Sequence, residues 1–140
     1  MTDLLFSYLV RDSTSEPYGQ RFYADGMVES YRVSKLVKSA SGAYEDKPVT
    51  PGWYPAVTLN EDLLARARMA IETSGVREMP AKVIGSANNT SDLASGEIEV
   101  MTSDGLHEIT VKPWYPGDDI GQRLFELISQ LNHLITQALA

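Results

Sequence analysis

The chain contains no cysteine. Disulfides, thiolate nucleophiles, iron–sulfur clusters and zinc fingers are therefore excluded. Histidine is scarce: His107 and His133 are the two, and neither stands at metal-ligand spacing from another ligand. A surface or core-edge position is the expectation for both, with no metal and no cofactor. Glycine-rich fingerprints are also missing. No G-x-S-x-G, Walker loop or G-x-G-x-x-G occurs, so the common hydrolase and nucleotide-binding signatures are absent. No apolar run approaches the roughly 18 residues of a membrane-spanning helix. The opening MTDLLFSYLVRDS puts Asp3 where a secretory signal would be basic, and Ser7 and Arg11 break and end its apolar run. These absences point to a cytoplasmic protein without a membrane partner.

The chain has 140 residues, 43% hydrophobic and 22% charged, a composition suited to a single domain with one core over 1–140. Its net charge is −7, unevenly spread. Residues 1–50 carry six Lys/Arg against seven Asp/Glu, whereas 51–140 carry six against twelve. Such an acidic second part would repel a phosphate backbone, so nucleic acid is not an expected partner.

Hydrophobic patterning supplies the elements. Leu4 to Val10 reads as a strand. Asp25-Gly26 lies between strand-like flanks, and a three-residue loop pairing Phe22 with Val28 and Arg21 with Glu29 is favoured over a two-residue loop pairing Tyr23 with Val28. The stretch from Lys35 to Gly52 starts as a strand and then reads as a loop rich in Gly, Ser and Pro. Residues 61–74 read as a helix with Asn60 as N-cap, Gly75 as C′, and Leu63, Leu64, Ala67, Ala70 and Ile71 on one face. GSANNTSDLASG is a loop by composition.

A second hairpin follows. An Asp104-Gly105 two-residue turn would place Thr102 opposite His107, Val100 opposite Ile109, Ile98 opposite Val111, and Glu97 opposite Lys112. That register puts Ile98, Val100, Ile109 and Val111 on one face and Glu97, Glu99, Glu108 and Thr110 on the other. The last helix is expected from about Ile120 to Leu139, with Asp119 and Gln122 resembling a capping box. Its stripe of Ile120, Leu124, Leu127, Ile128, Leu131, Leu134, Ile135 and Ala138 is broad enough to pack on a sheet.

Both tryptophans fall in the same tripeptide, Trp53-Tyr54-Pro55 and Trp114-Tyr115-Pro116. A proline pushes its predecessor into extended geometry and lacks an N–H, so ladder pairing is expected to stop there. The favoured reading is a packing device at a core margin, ending an extended segment where a helix begins. The alternative is an exposed partner-binding patch, for which Trp53, Tyr54, Trp114 and Tyr115 are the candidates.

Three catalytic readings are weaker. Tyr31-x-x-x-Lys35 has short-chain dehydrogenase spacing, but it lies on a strand and lacks the glycine fingerprint. Glu97 and Glu99 share a strand face, as solvated charges on a polar sheet face do. An enzyme built on carboxylates and tyrosines is the residual alternative.

LNEDLLARARMAIETSGVREMP resembles a segment of small bacterial α+β proteins: a leucine, a polar cap, an acidic helix start, then Gly, an apolar residue and a Met-Pro exit. With one hairpin before it and another hairpin plus a last helix after it, the plan resembles emfourin-type metallopeptidase inhibitors. The resemblance implies an inhibitor and carries over no functional residue.

The expectation is an α+β domain: an antiparallel sheet of about five strands with two helices packed on one face, in order βββ(β)αββα. The expected role is non-enzymatic, with a protein partner or self-association.

Overall fold

A computed structural model describes residues 3–12, 16–84, 94–112 and 119–140, leaving aside the side chains of 82–84. Seven strands form one sheet: β1 (Leu4–Arg11), β2 (Tyr18–Tyr23), β3 (Met27–Lys38), β4 (Tyr44–Thr58), β5 (Lys82–Ile84), β6 (Ser95–Thr102) and β7 (Gly105–Lys112). The helices are α1 (Glu61–Ser74) and α2 (Asp119–Leu139), with a 3-10 turn at Val76–Glu78. The spatial order is β4-β3-β2-β1-β6-β7-β5. Six strands are successively antiparallel, and β5 adds to β7 in parallel.

The α+β class, the antiparallel sheet and the two helices match expectation; the strand count does not. One addition is β5, a three-residue segment too short to carry an alternation signal. The other is β4, the fourth strand that the expected order left optional, whose 15 residues include the stretch expected to be a loop. Pro48, Pro51 and Pro55 all lie within it. They are tolerated because β4 is an edge strand, where half the N–H groups face away from the sheet. Ladder pairing therefore runs through Pro55, opposite Glu29, to Thr58.

β1 is central, between β2 and β6, and every residue from Leu5 to Val10 is buried, with Phe6, Tyr8 and Val10 in the helix-side core. Phe6, Tyr8, Val10, Phe22, Val28, Ile98, Val100, Ile109 and Val111 share one core with Leu63, Ala67 and Ile71 of α1 and Leu124, Leu127, Leu131 and Leu134 of α2. Both helices thus serve the same sheet face. The opposite, open face carries Arg21, Glu29, Tyr31, Trp53, Glu97, Glu99, Glu108 and Thr110.

Local signals acted as their chemistry requires. Asn60 Oδ1 accepts from Leu63 N at 2.9 Å, and Gly75 takes φ 74° at the end of α1. Asp119 lies inside the first turn of α2, its carboxylate 2.8 Å from Arg123, an ion pair rather than a capping box. In the first hairpin Phe22 pairs with Val28 and Arg21 with Glu29, the favoured register. In the second, Ile98 pairs with Ile109, Val100 with His107, and Thr102 with Gly105. The expected register is off by two. A slip of two leaves every side chain on its original face, so facial sorting could not detect it. Thr102 decides the turn: its hydroxyl accepts from Asp104 N at 3.1 Å and donates to Gly105 O at 2.8 Å.

Candidate binding surface

The β3–β4 hairpin is longer than the sheet it belongs to. β2 pairs with β3 only from Phe22↔Val28 to Gln20↔Ser30. Beyond Ser30, β3 and β4 pair with each other as far as Lys38↔Tyr44, and the turn closes through Ser39 N to Ala43 O at 2.8 Å. Among the described residues this ribbon has no third strand.

The ribbon is bent by two irregularities in β4. Val28↔Val57 is followed by Glu29↔Pro55, leaving Ala56 unopposed. Arg32↔Gly52 is followed by Ser34↔Pro48, leaving two more residues in β4 than in β3. Tyr54 fastens this second bulge by donating its hydroxyl to Thr50 O at 2.6 Å.

Leu36 and Tyr44 lie near the ribbon's end and are 68% and 67% exposed. Leu36 pairs with Asp46 and Tyr44 with Lys38, so the two apolar side chains share one face. On the same strand Arg32, Lys35 and Lys38 are exposed, and Arg32 to Lys38 contains no acid.

Trp53 lies at the root of the ribbon, half-buried on the open face. The Tyr31 ring meets it edge-on at 5.3 Å and 79°, and the Arg21 guanidinium carbon lies 4.2 Å from its centroid. Arg21 Nε is buried and makes no hydrogen bond among the described residues. Beside it, Tyr23 donates to Glu29 Oε1 at 2.6 Å; burial, then the Glu29 carboxylate, pushes the Tyr23 hydroxyl pKa up.

The tripeptide reading is thereby corrected at its first site. Trp53 does not end a strand at a helix, because β4 continues to Thr58 and α1 begins at Glu61. Trp53 also faces away from the helical core, while Tyr54, its neighbour in an alternating strand, faces the other way. Trp114 and Tyr115 lie outside the described residues.

The remaining candidates stay apart. His107 is half-buried, its Nε2 2.7 Å from Met79 O, and His133 contacts Gln137 at 3.0 Å on α2. Glu99 pairs in register with Glu108 on the open face. Among the described residues no group of three or more His, Asp or Glu side chains could hold a metal ion. No described helix is long and apolar enough to cross a membrane.

Under α2, a cavity of about 330 Å³ is lined by Tyr8, Tyr18, Gln20, Phe125, Ile128 and Asn132. Tyr8 is buried there and donates to Gln20 Oε1 at 3.1 Å. Burial pushes its pKa up to about 12, partly offset by a hydrogen bond to Asn132.

The basic strand and the free ribbon edge escaped sequence reasoning. The signal was the cation spacing Arg32-x-x-Lys35-x-x-Lys38, visible but without meaning until one strand edge was known to be unpaired. Compared with known proteins, the chain matches no family and no curated sequence.

Proposed function

We propose that this chain is a non-enzymatic cytoplasmic protein-binding domain whose partner docks on the β3–β4 ribbon. The observation that carries the reading is the pair Leu36 and Tyr44, exposed on one face of a ribbon that has no third strand among the described residues. An isolated two-stranded hairpin is marginal in water, and contiguous exposed apolar surface is a mark of an interaction site. Tyrosine also contributes disproportionately to interface energy. Trp53, with Arg21 and Tyr31, braces the root of the ribbon and positions it. Tyr54 acts at the same root through Thr50.

The alternative reading is an emfourin-like metallopeptidase inhibitor, in which the turn at Ser39–Ala43 would be the segment offered to a peptidase cleft. The experiment compares the full chain with a Leu36→Ser/Tyr44→Ser variant in crosslinked pulldown and in a metallopeptidase inhibition assay. The reading expects a captured protein lost from the variant, with the thermal midpoint unchanged. Inhibition lost in the variant would narrow the partner to a peptidase. Equal capture by both proteins, or a midpoint lowered by several degrees, would show that the two side chains serve packing.

A further inference from the structure

We infer that the free edge of β3, from Tyr31 to Lys38, accepts an extended acidic segment of a partner protein as an added strand. The inference rests on the ribbon being the docking element and names the chemistry of what docks.

The two edges of the ribbon are unlike. The outer edge belongs to β4 and carries Pro48, Pro51 and Pro55, which break up its donors. The inner edge belongs to β3, has no proline, and lies alongside the line of β2 beyond Gln20. Among the described residues nothing pairs with it there. Both bulges add residues to β4, so β3 itself keeps regular alternation. An edge of eight residues, about 26 Å long, presents every second residue's N–H and C=O outward. That is the main-chain half of β-strand addition.

Charge selects the occupant. Arg32 and Lys38 lie on one face of β3 and Lys35 on the other, three cations in a chain of net charge −7. On the ribbon beyond Ser30 the acids are Glu45 and Asp46, which stand one strand further from the edge, and Glu45 is 3.3 Å from Lys47. A second copy is disfavoured: antiparallel pairing centred on Lys35 would set Arg32 opposite Lys38 and Lys35 opposite Lys35, and directly opposed like charges repel. A strand with carboxylates at every third residue meets all three cations.

The test uses the full chain and a fluorescein-labelled synthetic peptide of about ten residues, with glutamate at every third position and Val and Thr between, read by anisotropy. Binding should weaken at least about tenfold in a Lys35→Glu/Lys38→Glu variant, and similarly when alternate peptide nitrogens are methylated. The variant should gain affinity for the peptide with lysine in place of glutamate. Absence of binding at about 1 mM overturns the inference. Equal binding of the N-methylated peptide, of the lysine peptide, or of an oligothymidylate of matched charge also overturns it. If the charge-reversed variant still captures the partner that Leu36→Ser/Tyr44→Ser loses, the ribbon binds by its apolar face, and only the acidic-strand inference fails.

Discussion

The guanidinium carbon of Arg21 lies 4.2 Å from the centre of the Trp53 ring, two strands away across β3. Half-buried at the ribbon's root, the cation and the ring form one unit with Tyr31. A double-mutant cycle of Arg21→Met and Trp53→Ala should give a coupling of about 0.5–2 kcal/mol. Chemical denaturation of the four proteins measures it. Additive losses would mean that the stacking carries no energy.

Two turn glycines should respond differently to the same methyl group. Gly26 and Gly105 both take positive φ, 96° and 113°. A Cβ at Gly26 would stand 2.4 Å from the Leu59 carbonyl oxygen, whereas Gly105 has open space. Gly105→Ala should cost about 1 kcal/mol, from backbone strain alone. Gly26→Ala should cost at least about twice that, since backbone must move as well. Equal shifts in denaturation midpoint would show that Leu59 yields freely.

The contrast between these turns also marks what was legible in the chain. Asp25-Gly26 gave the right register because an apolar pair and a charge pair agreed on one loop length. Asp104-Gly105 gave a register off by two, because alternation is blind to even slips and the deciding group was the Thr102 hydroxyl. Helices were clear from caps and periodicity: Asn60, Gly75 and the Leu124–Leu127–Leu131 stripe are local signals. β4 was hidden because its prolines argue against a strand unless it is known to be an edge, and edge position is a property of the whole sheet. The binding surface was hidden for the same reason. Trp53 drew attention by its rarity, whereas Leu36, Tyr44 and the three cations became informative only when β2 was seen to end short of them.

Leu131 is fully buried in the core between α2 and the sheet. Leu131→Ala should cost about 2–5 kcal/mol, with the self-association state unchanged by sedimentation. Retained stability with altered association would instead make the α2 stripe an oligomer seam.

Tyr8 makes stability fall at high pH. It is 3% exposed, and burial pushes its pKa up to about 12 from the ordinary tyrosine value of 10.0. The folded chain therefore holds this proton more tightly than the unfolded chain does. The stabilising contribution is fully present below about pH 10 and is lost as pH rises through about 12, amounting to roughly 2–3 kcal/mol. Tyr8→Phe removes the titration and also the hydroxyl's bond to Gln20. The variant should be less stable than the parent near pH 8, and its urea midpoint should decline less steeply between about pH 10 and pH 12. Every other group is common to both proteins, so the difference between the two curves isolates Tyr8. Parallel curves across that window would place the Tyr8 hydroxyl in contact with water.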